Sequence, residues 1–591
     1  MFDLLIQGGA IYDGRGGEPV QADLAIADGK IAAMGNLPAA QARRVLSAQG
    51  RAVTPSFIDM HSHADCSASM WPEMESLLGQ GVTTCFAGHC GFGLSPVAKG
   101  WLEMKFDQAA VNRFLPEFPG GPIPDPQRVV DRDALAPVFR EVYGETLDWT
   151  DYAGYMAHLE RVSIGCNLSA QVGQHQLRQE AMGRSFNRPA TEAERQAMER
   201  LLEDAMEQGA WGLSIGLDYR PGTYADADEL RRLMVITARY GGVVTAHAQL
   251  RPIRGDGTDP GHLPLDGYRE FLELGRDTGA RLHISHLING FAPGGDEAAT
   301  AENAQRTLEL IHGYREQGVS VTWDTLPPST IAMFHFPQLI QYLRPYVDRC
   351  GGITAFRRAL RETNLGELVA QEIRAGQHAS RSVFSQVYPK ENPQWADSLR
   401  ILATTVPGAA GKTLAELARE RRCDAVAVLL QMAADDPDAR CGKGRRMDPV
   451  SFRVFEASGE VCYGTDNGCC NYGTIYREGP DLPFYASTPS AFCGMIRCLE
   501  ETTLPFSRCV QGLTSQAALA AGYRDRGVLA PGMAADVLVL DRAVLRSNFS
   551  EAEPQTMPCG IDYVVVNGQV AVDHGRFLHP RSGKALRREV R

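Results

Sequence analysis

The segment Phe57-Ile58-Asp59-Met60-His61-Ser62-His63-Ala64-Asp65 constrains this chain more than any other. The apolar run from Ala52 to Ile58 reads as a buried strand, and it leads into two histidines one residue apart. Side chains alternate across a strand, so His61 and His63 share a face and can close on one metal ion while Ser62 points away. An isolated pair of this kind reads more simply as two solvated loop histidines. Four further strand-like runs shift that balance. Val82 to Ala87 leads to Cys90, Gly242 to Ala246 to His247, Arg281 to Ser285 to His286, and Val461 to Thr465 to Asp466. Five runs that deliver His, Cys or Asp at their ends match a barrel of alternating strands and helices, which carries its active site at the C-terminal ends of its strands.

The rest of the chain fits around such a barrel. Residues 1–54 break into short strands at Gly8-Gly9, Asp13-Gly14, Asp28-Gly29 and Gly35-Asn36, which is hairpin punctuation. The same style returns at Asp536 to Leu540 and Tyr563 to Val572. The expectation is one small β-sandwich formed by both termini, residues 1–54 and 523–591, with a larger domain, 55–522, inserted between them. Inside that domain, further strand candidates at Asn167 to Val172, Trp211 to Ile215 and Val319 to Asp324 alternate with helical stretches such as Thr191 to Gln208 and Ala301 to Gln317. Eight strands in this order predict an α/β fold, a (β/α)8 TIM barrel. Two segments interrupt it. Ala98 to Arg132 is proline-rich and is expected to cross the rim as an ordered loop. Residues 328–459 separate strands 7 and 8 by far more than one helix needs, and read as a mostly helical insertion serving as a lid or an oligomer contact.

Composition narrows the partners. The net charge is −12 and Lys and Arg form no dense block, which argues against nucleic acid and anionic membranes. The segment Met1 to Gln7 lacks a basic and a long apolar region, and no apolar run reaches membrane length. The expectation is a cytoplasmic protein acting on a small molecule, with a homo-oligomer left open. The 14 cysteines are scattered through a long chain, as reduced thiols are. Cys85, Cys166, Cys423, Cys498 and the adjacent Cys469-Cys470 read as small buried hydrophobes, and Cys90 is the exception.

Along nearly its whole length the chain resembles the N-acyl-D-amino-acid deacylase (D-aminoacylase) branch of the amidohydrolase superfamily. The marks are Asp28-Gly29-Lys30-Ile31, Pro55 through His63, Gln80-Gly81-Val82-Thr83-Thr84, Gly88-His89-Cys90-Gly91-Phe92-Gly93, Gly209 through Leu217, Ser285-His286 and Asp525 through Asp536. The Phe-Ile-Asp-x-His-x-His element marks the superfamily, and Gly-x-Cys-Gly marks the branch. The resemblance implies a zinc-dependent hydrolase of amide bonds. It implies His61, His63 and Asp466 around one metal position, Cys90, His247 and His286 around the other, and one Zn2+ held tightly with a second position available. Asp466 would act as base and then acid. Independently of the resemblance, the chain has no lysine between Lys105 and Lys390, which removes the carboxylated lysine that bridges the metals in many amidohydrolases. A Cys90 thiolate is a sensible replacement.

The resemblance breaks where the family meets its substrate. Its usual His-x-Arg is here His247-Ala248-Gln249, its Ser-His-x-Lys is Ser285-His286-Leu287-Ile288, its Asp-x-Tyr-Pro-Tyr is Asp324-Thr325-Leu326-Pro327-Pro328, and its His-Pro-Arg is Thr488-Pro489-Ser490. Its Gly-His-Gly-x-Leu-Arg is Gly173-Gln174-His175-Gln176-Leu177-Arg178. Candidate substrate contacts are therefore His175, Tyr219, Arg220, Gln249, Ile288, Leu326 and Ser490, with Tyr224 as a further pocket wall. A carboxylate desolvated without its cationic partners is costly, so the expected substrate lacks the free carboxylate of an N-acyl-D-amino acid. Arg178, Arg220 and Arg251 are the candidates for a replacement anion site, each also readable as structural or surface. Three other readings stand: a deacylase of free N-acyl-D-amino acids, a cyclic amide or imide hydrolase, and an inactive barrel that binds or assembles.

Overall fold

The computed structural model describes residues 1–589 apart from 38–41, 98–100, 104–128, 187, 219–220, 251–252, 255–256, 259–260, 264, 290–295, 329–331, 336–345, 347–348, 352, 376–394, 398, 437–438, 444–446, 474–489 and 550–554. Within these residues eight parallel strands form a barrel. They are β1 (Phe57–Ser62), β2 (Val82–Ala87), β3 (Asn167–Ala170), β4 (Gly212–Gly216), β5 (Val243–His247), β6 (Arg281–Ile284), β7 (Val321–Thr325) and β8 (Cys462–Tyr463). β1, β2 and β3 form one ladder, and β4 to β8 form another. The two join at both seams. Val172–Gly173, just beyond β3, pairs with β4, while the Asp466 N–H donates to His61 O and the His63 N–H to Asn467 O, both at 2.8 Å. The barrel is closed and has no free edge.

The first five of these strands are buried along their whole length, which is why they read as nearly continuous apolar or small-residue runs rather than alternating ones. Helices return the chain to the start of the next strand, and several of them begin at side-chain caps. Thr191 closes a capping box with Glu194 ahead of Glu192–Glu207, and Asp226 and Asp296 cap Ala227–Arg239 and Glu297–Glu316.

The ends of the chain meet in a single nine-stranded sheet among the described residues. Ala52–Pro55 pairs antiparallel with Val537–Leu540, and Leu4, Ile6, Leu24 and Val53 share one apolar core with Val537, Val539 and Val565. The strands expected to form a sandwich are thus hydrogen-bonded into one continuous sheet. Between β7 and β8 lies more than helix. Ala332–His335, Leu399–Ala403 and Arg440–Lys443 form an antiparallel sheet, and helices Ile353–Glu362, Leu365–Arg374, Leu414–Arg421 and Ala425–Asp435 pack a separate core with it. The loop expected at 98–132 lies largely outside the described residues; its ends, Trp101–Glu103 and Val129–Asp131, pair antiparallel. No helix among the described residues is long and apolar enough to cross a membrane.

Candidate active site

The C-terminal ends of the strands bring together six side chains. The donor atoms of His61, His63, Cys90 and Asp466 lie within 4.8 Å of one another, and so do those of Cys90, His247 and His286. Cys90 belongs to both groups. Its Sγ is 3.4 Å from His61 Nε2, 3.6 Å from His286 Nε2 and 3.9 Å from His247 Nδ1. His247 Nδ1 and His286 Nε2 are 2.8 Å apart, and Asp466 Oδ1 is 3.0 Å from His63 Nε2 and 3.3 Å from His61 Nε2.

Local backbone makes this convergence possible. Cys90, His286 and Asp466 have φ of 57°, 36° and 51°, left-handed values that turn each side chain inward just past its strand. Such conformations cost on the order of 1–3 kcal/mol each and persist only where the surroundings hold them. Gly464 is needed because a Cβ there would strike the His61 backbone and Cβ. At Gly91, whose φ is +81°, a Cβ would sit 2.7 Å from His175 Nε2.

Behind the six side chains stands a layer of carboxylates. Asp324 Oδ2 lies 3.3 Å from His61 Nδ1 and 2.9 Å from His283 Nε2, and its Oδ1 accepts from the His286 N–H at 3.0 Å. Asp218 Oδ2 is 3.2 Å from His247 Nε2. Asp59 accepts from the Thr465 N–H at 2.9 Å and from its hydroxyl at 2.7 Å, tying the turn that carries Asp466 to β1. Each ligand-like imidazole so held keeps its other nitrogen for the centre of the cluster.

Electrostatics follow from burial and these contacts. Burial would push the Cys90 thiol up, but His61, His247 and His286 outweigh it and hold its pKa well below the ordinary value. Burial opposes charge on His61, yet Asp324, Cys90 and Asp466 hold its pKa well above the usual range. Burial raises Asp324 in turn, and His61 and His283 more than reverse it, so this carboxylate stays ionised. A buried thiolate among imidazoles and a carboxylate is the donor chemistry of a zinc site, and the carboxylates behind it fit that use.

The substrate candidates are placed less uniformly. Gln249 and Leu326, after β5 and β7, are buried, while Ile288, after β6, is half-buried and donates its N–H to the Tyr268 hydroxyl at 3.2 Å. His175 is buried, with Nε2 3.0 Å from Gly216 O and its ring against Phe92. Tyr224 is buried in the turn Gly222–Tyr224, and Ser490 opens the helix Ser490–Glu501. Tyr219, Arg220 and Arg251 lie outside the described residues. Arg178 is structural. Fully buried, it is paired with Glu229 and donates to the carbonyls of Phe186 and Arg188. Asp218, Asp324 and Asp59 were not singled out from the sequence. The usable signal was position, since Asp324 is the penultimate residue of β7 and Asp218 follows β4 by two residues.

A model of the Amidohydrolase family matches residues 44–572. The chain belongs to this family. N-acyl-D-glutamate deacylase of Alcaligenes xylosoxydans xylosoxydans is 30% identical over 596 residues, which cover 100% of this amidohydrolase and 97% of the relative. D-aminoacylase of the same organism is 25% identical over 597 residues, covering 99% and 98%. The crystal structure of N-acyl-D-glutamate deacylase from Bordetella bronchiseptica, complexed with zinc and a phosphonate mimic of the tetrahedral intermediate, superposes with a TM-score of 0.67. It is 26% identical and covers 99% of each chain. This amidohydrolase is therefore a barrel enzyme of the D-aminoacylase branch, a hydrolase of carbon–nitrogen bonds, and the reading as an inactive barrel is set aside.

Proposed function

We propose that this amidohydrolase is a zinc-dependent, deacylase-type enzyme whose substrate is an N-acyl compound with its carboxylate absent, masked or displaced. The observation that carries the zinc centre is the convergence of six donors in two groups that share Cys90. Cys90, His247 and His286 would hold one ion tightly, and His61, His63 and Asp466 frame a second position. When bound, zinc polarises a carbonyl and acidifies water. The chain does the rest. Asp324 and Asp218 fix the His61 and His247 rings, and the Asp466 carboxylate, steadied by His63, accepts the proton of the attacking water and returns it to the leaving nitrogen.

The substrate assignment rests on the neutral or apolar Gln249, Ile288 and Leu326, and on Arg178 being committed to Glu229. The full-length similarity to N-acyl-D-glutamate deacylase favours a second reading, a deacylase of free N-acyl-D-amino acids, with Arg220 or Arg251 as the clamp. Turnover of an N-acyl-D-amino acid, its L-enantiomer and the corresponding primary amide by zinc-loaded enzyme separates the two. The first reading expects kcat/KM for the amide to exceed that for the free D-acid by at least about tenfold. Preference for the free D-acid would overturn it in favour of the second.

A further inference from the structure

At the opposite, N-terminal end of the barrel, where β4, β5 and β6 begin, lies a cavity of about 550 Å3. That volume is within the roughly 300–1,000 Å3 of small-molecule sites. Trp211 and Val243 contribute to its wall, the segment after the last barrel helix contributes Tyr523 and Arg524, and the C-terminal tail contributes Leu586 and Arg588. The tail is held there by its backbone: the Leu168 N–H donates to Lys584 O at 2.9 Å, the Leu586 N–H to Leu168 O at 2.7 Å and the Arg588 N–H to Gly209 O at 2.9 Å.

In a chain of net charge −12, this cavity gathers six arginines against two carboxylates, Asp525 and Glu589. Three of the arginines are matched. Arg239 pairs with Glu203, Arg587 with Glu160 at 3.2 Å, and Arg526 with Asp536 at 2.8 Å and Asp525 at 3.1 Å. The other three have no carboxylate partner among the described residues. Among the described residues Arg281 donates only to Leu519 O at 3.1 Å, Arg524 meets no partner, and Arg588 donates to two backbone carbonyls while its buried Nη2 meets no acceptor. Burial and the neighbouring Arg524 lower the pKa of Arg281, and burial lowers that of Arg588. Uncompensated guanidinium charge beside an orphaned buried donor is an arrangement that a bound anion relieves.

We propose that this cavity is a binding site for a small oxyanion-bearing molecule, phosphorylated or carboxylated, held by Arg281, Arg524 and Arg588 at the barrel end remote from the Cys90 cluster. A ligand there joins the start of β6, the segment after the last barrel helix and the C-terminal tail, so its occupancy stabilises the fold through linkage. The test is thermal unfolding of the full-length, zinc-loaded enzyme titrated with inorganic phosphate, with citrate, or with chloride at matched ionic strength. The proposal expects a saturable rise of the midpoint with phosphate or citrate beyond the chloride control. The larger of the two shifts identifies the preferred group. Because Arg524 is exposed and unpartnered, Arg524→Gln should keep the fold and amide hydrolysis while weakening the preferred anion about tenfold. A rise no larger than chloride's, or one unchanged in Arg524→Gln, overturns the proposal.

Discussion

At the C-terminal ends of the strands three of the buried imidazoles face carboxylates: His61 faces Asp324, His247 faces Asp218 and His63 faces Asp466. At the N-terminal ends Arg281 and Arg588 donate to backbone carbonyls, and neither they nor Arg524 meet a carboxylate among the described residues. Both ends belong to the same parallel strands, so the difference lies in the charges carried by the strand termini and their loops rather than in the fold. A rim whose histidines are backed by carboxylates is organised for a cation at its centre, and a rim with surplus guanidinium is organised for an anion. The comparison also explains Arg178. Set at the catalytic end, it has been given Glu229 as a full partner.

Removing that partner makes the catalytic end resemble the other, and it is the largest expected effect on stability. Glu229→Gln leaves the Arg178 charge buried and unpaired, and should destabilise the enzyme by roughly 3–5 kcal/mol, read as a lowered denaturation midpoint. An unchanged midpoint would mean that compensation at this end is incidental. Next in size, Asp324→Asn removes the charge behind His61 and His283 and should weaken zinc binding about 10–100-fold in a chelator competition. Wild-type affinity in this variant would show that the carboxylate layer is packing alone. The smallest effect comes from supplying the missing charge at the far end. Arg524→Glu gives Arg281 a counter-charge and should stabilise by about 0.2–1 kcal/mol while abolishing the phosphate or citrate shift.

Much of the catalytic end was legible because two signals coincide there. Strands buried on both faces leave apolar runs, and a His, Cys or Asp that closes such a run stands out, as His61, His247 and His286 do. The supporting carboxylates were harder to see, since Asp324 and Asp218 act through contacts between residues 29 to 263 positions apart in the chain. The sheet inside the 328–459 insertion was missed for a related reason. Its short strands pair across long sequence separations, and Arg400, Arg440 and Lys443 dilute the strand pattern. The tail from Lys584 to Arg588 was expected to belong to the terminal β-domain, yet its backbone bonds to β3 and to Gly209 fasten it to the barrel. Backbone pairing of that kind leaves no mark in composition.

The most direct test of the account is turnover and metal content of Asp466→Asn measured side by side with wild type on the best N-acyl substrate. If Cys90, His247 and His286 hold the zinc and Asp466 handles the proton, the variant retains a bound zinc per chain and loses about 10²–10⁴-fold in kcat. Zinc-loaded Asp466→Asn turning over at the wild-type rate would contradict the role given to Asp466. Loss of the metal together with the activity would contradict the assignment of the tight position to Cys90, His247 and His286.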